Sequence, residues 1–216
     1  MKKTSVESVV DFPAVLPGFE HVNRYWDKTH NSHAAKILPG EYYVTLRDEV
    51  IVTVLGSCIS ACIRDSVFGV GGMNHFMLPT GEEGIGRSGW NRDVSDSTRY
   101  GNFAMEKLVN DIMKNGGRRN NLEVKIFGGG KVLAQMTGVG ERNIHFVKEY
   151  IKTEGLRLVS EDVGDIYPRK VYYFPASGKV RLKKLRASHN NTIAAREKAY
   201  KEELVTEPIS GDIELF

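Results

Sequence analysis

The stretch Val52-Thr53-Val54-Leu55-Gly56-Ser57-Cys58 ends an apolar run on a glycine, a serine and a cysteine. A second run, Gly69-Val70-Gly71-Gly72-Met73-Asn74-His75-Phe76-Met77-Leu78-Pro79, follows it. Between them lies Ile59-Ser60-Ala61-Cys62-Ile63-Arg64-Asp65, which is apolar and ends on an aspartate that favours turns. Two apolar runs joined by Asp65-Ser66-Val67-Phe68 predict a β-hairpin.

The tip of this hairpin decides which residues face each other. With Ser66-Val67 as a two-residue tip, Cys58 stands directly opposite His75, and facing Cβ atoms in an antiparallel pair lie ~4.5–5.5 Å apart. A neighbouring imidazole lowers the pKa of a thiol, and it can then protonate a departing amine. The competing interpretation is that Cys58 is a small buried residue and His75 a core histidine.

Glycines flank this pair and indicate how an oxyanion would be held. Gly56 allows a sharp turn that exposes backbone N–H groups, as many oxyanion holes do. Gly128-Gly129-Gly130 ends a predicted strand, where glycine permits close approach of another group. The triple glycine lacks the Lys-Ser/Thr ending of a phosphate loop, so nucleotide binding is disfavoured.

Five sequence motifs, spread over about residues 38 to 182, are informative when they are taken together in their order along the chain. They are Leu55-Gly56-Ser57-Cys58, Gly71-Gly72-Met73-Asn74-His75-Phe76-Met77-Leu78-Pro79, Lys125-Ile126-Phe127-Gly128-Gly129-Gly130, Gly140-Glu141-Arg142-Asn143, and Asp162-Val163-Gly164 with Pro168-Arg169-Lys170-Val171. Together they resemble the chemoreceptor glutamine deamidase family, CheD, in its proteobacterial type.

The resemblance implies a protein-glutamine glutaminase. Such an enzyme is a cysteine-dependent amidohydrolase that converts glutamine side chains of methyl-accepting chemotaxis receptors to glutamate and releases ammonia, with no metal or organic cofactor. It implies that Cys58 is the nucleophile and His75 the base. The family's third member is a threonine, often within Thr-Leu-Gly-Leu-Gly-Ser-Cys. Here Thr53 is the candidate, in a stretch one residue shorter. The predicted substrate and oxyanion residues are Gly56, Ser57, Asn74, Gly128 and Gly129.

The expected partner is the helical cytoplasmic bundle of a chemotaxis receptor. The resemblance also implies binding to a CheC-type phosphatase, so an adaptor without enzymatic activity is one alternative. Intact Cys58 and His75 count against a pure adaptor, because a scaffold has no chemical need for them. The other alternative is a Cys-His amidase or peptidase that acts on small molecules, which activity on free glutamine would reveal. Hydrolysis of receptor methyl esters stays open.

Composition limits the class of protein. The 216 residues, 41% of them hydrophobic, suffice for one domain with a real core. A net charge of +3 is too small to indicate a nucleic-acid surface. Glu7, Asp11 and Pro13 interrupt any signal-peptide apolar region, and no run approaches the ~18 apolar residues of a membrane span. The sequence therefore predicts a cytoplasmic protein that inserts into no membrane.

The two cysteines do not suggest a disulfide or a metal site. Cys58 and Cys62 lie four residues apart on one strand, or ~13 Å, beyond the ~7 Å that a disulfide spans. We expect Cys62 to pack in the core. A zinc site from both cysteines and His75 would meet the same distance and lack a fourth ligand.

The remaining chain predicts an α+β fold, a layered sandwich of mixed or antiparallel sheets with helices packed outside. Helices are expected over Tyr100–Asn115 and Arg142–Thr153, and Thr80–Arg99 reads as a lid, a substrate-facing loop or a disordered insertion. The predicted parts are an N-terminal extension (1–36), a catalytic domain (37–186) and a polar C-terminal tail (187–216). In the tail, a stripe of Ile193, Tyr200 and Leu204 indicates a possible helix.

Overall fold

A computed structural model of the protein describes residues 12–78, 90–132, 138–185 and 190–206. These residues form ten strands, three α-helices and one short 3-10 turn. The strands are β1 (Asn23–Asp27), β2 (Ser32–Lys36), β3 (Tyr42–Thr45), β4 (Val50–Leu55), β5 (Ile59–Asp65), β6 (Gly71–Asn74), β7 (Leu122–Gly128), β8 (Arg157–Val163), β9 (Arg169–Phe174) and β10 (Lys179–Lys184). The helices are α1 (Trp90–Lys114), α2 (Val139–Thr153) and α3 (Asn190–Thr206), and Arg119–Asn121 forms the 3-10 turn.

Two five-stranded sheets make up the sandwich. The first has the order β1-β2-β4-β9-β10 and the second β3-β6-β5-β7-β8. Most neighbours are antiparallel, but β2 runs parallel to β4 and β7 runs parallel to β8. Helices α1 and α2 pack against strands of the second sheet. This arrangement confirms the predicted α+β sandwich of mixed sheets.

Strand β4 is buried on both faces, and the alternation of its side chains fixes the direction of Thr53. Ile51 and Leu55 belong to the main core cluster, whereas Val50 and Val52 pack in a smaller cluster on the other face. Because strand side chains alternate, Thr53 shares the face of Ile51 and Leu55. Its hydroxyl therefore points into the main core, and the residue is 1% exposed.

The ordered domain begins earlier than predicted. Strands β1 and β2 pair with each other, and β2 joins the first sheet beside β4, with Ala34 opposite Val50. Residues 23–36 are thus part of the sandwich, not an extension before Ile37. Their sequences, NRYWD and SHAAK, carry little apolar periodicity because much of their burial falls on two alanines. The helix in the C-terminal tail is present as α3, and residues 207–216 lie outside the described ones.

Helix α1 also starts before its predicted first residue. It begins at Trp90, so residues 90–99, which were expected in a loop, are helical. The rest of the predicted loop, residues 80–89, lies outside the described part of the chain. No helix among the described residues is long and apolar enough to cross a membrane.

The turn between β5 and β6 is wider than predicted. The Asp65 carboxylate accepts hydrogen bonds from the backbone N–H groups of Val67 (2.8 Å) and Phe68 (2.7 Å). Gly69 donates to the Asp65 carbonyl at 3.0 Å and has a φ of +88°, a conformation that favours glycine. The aspartate therefore organises a turn through Gly69 rather than a two-residue tip.

This wider turn changes the register of the hairpin. Ile59 pairs with Phe76, not with Asn74 as the predicted tip requires, so the strands are offset by two positions. The prediction that Cys58 stands directly opposite His75 is therefore wrong.

Candidate active site

His75 follows the last residue of β6 and continues its pairing with the β3 side. Its backbone N–H donates to the Glu41 carbonyl at 2.9 Å, and its own carbonyl accepts from the Gly40 N–H at 2.8 Å. These bonds fix the backbone on both sides of the residue. The imidazole lies inside the sandwich, where His75 is 2% exposed.

Thr53 of the first sheet meets His75 of the second. The Thr53 Oγ1 lies 2.8 Å from His75 Nδ1 and 2.9 Å from the Ile37 carbonyl. A hydroxyl has one proton and a carbonyl only accepts, so the hydroxyl donates to Ile37 and accepts from the imidazole. His75 therefore carries its proton on Nδ1, which leaves a lone pair on Nε2.

That lone pair is unoccupied and buried. Among the described residues, His75 Nε2 has no hydrogen-bond partner. Burial lowers the pKa of His75 from 6.5 to about 3, which keeps the ring neutral at physiological pH. A neutral imidazole with an unprotonated Nε2 is the form that a general base needs, but the lowered pKa makes it a weak base while the ring is buried in this way.

The loop that carries Cys58 is fixed to the triple glycine. Gly129 donates to the Cys58 carbonyl and Gly130 to the Gly56 carbonyl, both at 2.7 Å. A Cβ on Gly128, where φ is +112°, would lie 2.2 Å from the Cys58 oxygen. The close approach predicted for these glycines is therefore to the backbone of the cysteine loop.

The amide groups of the cysteine loop converge on one carboxylate, that of Glu197 in α3. Oε1 accepts from the backbone N–H of Gly56 at 2.8 Å and of Cys58 at 3.2 Å. Oε2 accepts from the N–H of Ser57 at 2.9 Å and from its hydroxyl at 2.6 Å. Glu197 is 2% exposed, and these neutral donors compensate its burial.

The Glu197 carboxylate also affects the pKa of the Cys58 thiol. Burial first, and then the charge and hydrogen bond of Glu197, raise the pKa of Cys58 well above its usual value. The thiol is thus protonated in this conformation, and Cys58 is fully buried. Thr53 occupies the Nδ1 side of His75 and Nε2 has no partner, so the cysteine and histidine are not hydrogen-bonded.

Comparison with known proteins gives the family. A family model described as "CheD chemotactic sensory transduction" matches residues 77–184. A Halorhodospira halophila protein is 57% identical over 208 residues, which cover 96% of this chain and 95% of the relative. A Methylobacillus flagellatus protein is 57% identical over 196 residues (90% and 95%), and one from Hahella chejuensis is 52% identical over 204 residues (94% and 95%). Each relative is named probable chemoreceptor glutamine deamidase CheD. The chain belongs to the CheD family.

The segment that matches the family model begins after His75 and ends before α3. Thr53, Cys58 and Glu197 therefore lie outside it, whereas the full-length relatives align over nearly the whole chain. In this CheD family member, the geometry described above depends on residues on both sides of the matched segment.

Asn143 of α2 also binds the backbone of the cysteine loop through its side-chain amide. Its Nδ2 donates to the Ser57 carbonyl at 2.8 Å, and its Oδ1 accepts from the Leu78 N–H at 2.9 Å. The side chain is fully buried and bridges the cysteine loop and the segment after His75. The sequence offered it only as part of the Gly140–Asn143 motif, without a role.

Asn74 lies apart from the converging amides. Its Oδ1 accepts from the Ala61 N–H at 2.8 Å, and its Nδ2 donates to the Ala104 carbonyl at 3.0 Å. Both ends of its amide are thus used where β5, β6 and α1 meet. Of the predicted substrate and oxyanion residues, Gly56 and Ser57 donate to the Glu197 carboxylate. Gly128 and Gly129 lie against the backbone of the cysteine loop.

A small cleft leads to His75, and α3 forms one of its walls. It is lined by Lys36, Ile37, Leu38, Pro39, Thr53, Val54, His75, Ile193, Arg196 and Glu197. The described residues contain no group of three or more His, Cys, Asp or Glu side chains able to hold a metal ion. Cys62 is a free cysteine, fully buried in the main core cluster, as predicted.

Proposed function

We propose that this CheD family member hydrolyses the side-chain amides of specific glutamines in chemotaxis receptors. The products are glutamate and ammonia, and Cys58 is the nucleophile. The names of the relatives support the substrate and the reaction. The observation that carries the proposal is the convergence of the Gly56, Ser57 and Cys58 amides on a side-chain carboxylate, which is the group that deamidation of glutamine produces.

The first half of the reaction uses His75 as the base. Nε2 takes the thiol proton, and the Cys58 sulfur adds to the carboxamide carbon. The resulting oxyanion takes the place of Glu197 Oε1, where the Gly56 and Cys58 N–H groups point. Each such donor contributes on the order of 3 kcal/mol to the stability of the transition state.

The second half returns the proton and the thiol. The C–N bond breaks, and ammonia leaves with the proton that His75 carried. Water then attacks the thioester, with His75 again as base, so that a carboxylic acid forms and the Cys58 thiol is restored. The sum is one amide and one water converted to one acid and one ammonia.

Thr53 acts as a positioning residue in this scheme, since it touches no reacting atom. Its hydroxyl oxygen accepts a hydrogen bond from His75 Nδ1, with 2.8 Å between Oγ1 and Nδ1, and so keeps Nε2 free for the thiol. The aspartate of a serine protease triad acts on its histidine in the same way. Binding to a CheC-type phosphatase and a cytoplasmic location stay predictions.

Mass spectrometry of receptor cytoplasmic fragments, incubated with and without the protein, tests the activity. We expect specific glutamines to gain about one mass unit, as an amide becomes an acid. Free glutamine and short glutamine peptides serve as the comparison and are expected to stay unchanged. Equal conversion of free glutamine would indicate a small-molecule amidase instead, and unmodified receptor fragments would contradict the proposal.

A further inference from the structure

Helix α3 places a charged residue in the middle of its buried face. Ile193, Glu197 and Tyr200 are 6%, 2% and 7% exposed, and Leu204 packs against the core. Their spacing of four, three and four residues puts them on one side of a helix. An apolar stripe of this kind normally carries a fourth apolar side chain, so the glutamate needs a reason.

The position of that glutamate matches what the proposed reaction makes. A glutamate side chain has the same length as a glutamine side chain, and its carboxylate is the deamidated group. Glu197 is presented from a helix, and it reaches the Gly56, Ser57 and Cys58 amides with both oxygens. A Cβ at position 56 would lie 2.8 Å from each of these oxygens, so the glycine leaves room for this group.

We propose that α3 is an internal competitor of the receptor: it occupies the surface where a receptor helix binds, and it presents Glu197 as that helix presents its deamidated product. The receptor helix then gains access by displacing α3. This inference rests on the proposed function, and it adds how the substrate is presented and how the site is closed.

Burial of the reacting groups requires that some element move. Cys58 is 0% exposed and His75 is 2% exposed, so a receptor side chain has no path to them in this conformation. Strand β4 is hydrogen-bonded to β2 and β9, and β5 to β6 and β7, which fixes the strands next to the site on both sides. Helix α3 belongs to neither sheet and forms one wall of the cleft through Ile193, Arg196 and Glu197, so we take α3 as the element that moves.

The contacts of α3 indicate which side chains a receptor helix should carry on either side of its target glutamine. Three residues after Glu197, the Tyr200 hydroxyl is hydrogen-bonded to that of Tyr100, and its ring lies 3.0 Å from where a Gly40 Cβ would be. Four residues before Glu197, Ile193 lines the cleft. We therefore expect preferred target glutamines to have an apolar residue four positions before and an aromatic or apolar residue three positions after.

Glu197→Gln turns the competitor into a substrate and gives the sharpest test. Cys58 adds to the new amide, the C–N bond breaks and ammonia leaves, and water releases the acid, so position 197 gains about one mass unit. We expect peptide mass spectrometry of the purified full-length variant to find glutamate at position 197. The same substitution combined with Cys58→Ala, and Glu202→Gln on the exposed face of α3, should both keep the amide.

Glu197→Ala tests closure of the site in the full-length protein. Loss of the competing carboxylate increases the open fraction, and we expect receptor deamidation to become about tenfold faster. Alkylation of Cys58 by iodoacetamide should accelerate as well. The buried Cys62 is the internal reference for unfolding, and Glu202→Ala is the matched control. If Glu197→Ala does not fold, the Glu197→Gln experiment decides.

The outcomes separate this inference from the proposed function. A retained amide at position 197, with receptor deamidation and Cys58 alkylation unchanged in Glu197→Ala, would overturn the competitor role while the deamidase activity stands. Faster alkylation of Cys58 without receptor deamidation by any variant would reject the deamidase proposal and support closure of the site by α3. Faster alkylation of Cys58 and Cys62 together would mean general unfolding and would overturn the inference.

Discussion

The histidine side and the cysteine side of the site are held by different parts of the molecule. His75 is fixed by its backbone bonds beside β3 and by the hydroxyl of Thr53 in the other sheet. The amides around Cys58 are bound by Glu197, which comes from a surface helix outside both sheets. The proposed base therefore belongs to the paired sheets, whereas the amides around the proposed nucleophile are covered by a helix outside both sheets, which we propose a receptor helix displaces.

Removing the nucleophile should give the largest effect. For Cys58→Ala we expect a fall in kcat/KM on receptor fragments of about 10⁴ or more, because no other group replaces the thiolate. The fold should stay intact, as judged by circular dichroism. Deamidation by this variant close to the wild-type rate would show that Cys58 is not the nucleophile.

The matched control for this variant is Cys62→Ala, in the same core. Cys62 is fully buried and has no role in the proposed chemistry. We expect it to lower the free energy of unfolding by about 1–2 kcal/mol and to leave kcat nearly unchanged.

The second-largest effect is expected from a substitution that alters only the contact between Thr53 and His75. Thr53→Val keeps the shape of the side chain but removes the acceptor for His75 Nδ1–H, so the imidazole loses its fixed tautomer. We expect kcat to fall about 10²–10³-fold with little change in KM, since triad orienting groups act on the transition state. Thr53→Ser restores the hydroxyl and should recover most of the rate. A valine variant with wild-type kcat would remove Thr53 from the mechanism.

The smallest expected effect is on the pH dependence of the free energy of unfolding. Burial lowers the pKa of His75 from 6.5 to about 3, so below pH 6.5 the unfolded chain binds a proton that the folded chain does not. This contribution to stability is complete above pH 6.5 and is lost as the pH falls toward 3, at up to about 1.4 kcal/mol per pH unit.

Urea denaturation at pH 7, 6 and 5, with His75→Gln as the variant, measures this contribution. The variant should lose less stability than the wild type between these pH values, because glutamine does not titrate. His145→Gln, on the exposed face of α2, is the matched control for the same substitution at a surface position. Parallel curves for the wild type and His75→Gln would show that the histidine is not held neutral.

Much of this fold could be predicted because its signals are local. The apolar runs of β4, β5 and β7 and the turn residues after them identify the strands without knowledge of their partners. The candidate Thr53 lies within one of these runs and its hydroxyl contacts His75, and its role in catalysis stays a prediction. Strands β1 and β2 were not predicted because their sequences carry little apolar alternation, and their pairing partners are not visible in the sequence.

The remaining differences come from contacts that the sequence does not encode locally. The Asp65 carboxylate widened the turn by capping the Val67 and Phe68 amides, and this moved the hairpin register. Glu197 lies 139 residues from Cys58 in the chain, so no motif links them. One signal was available: Glu197 stands between Ile193 and Tyr200 on the stripe that predicted α3, at a position where an apolar residue is expected.

The long-range pairing of β4 has a consequence for biosynthesis. Thr53 lies opposite Val171 of β9, so β4 waits for the ribosome to deliver the later strand before it has a neighbour on that side. We therefore expect a nascent chain that already contains Thr53, Cys58 and His75 to lack the β9 pairing that holds β4. Helix α3 follows β10 in the chain, so it is translated after every strand of both sheets.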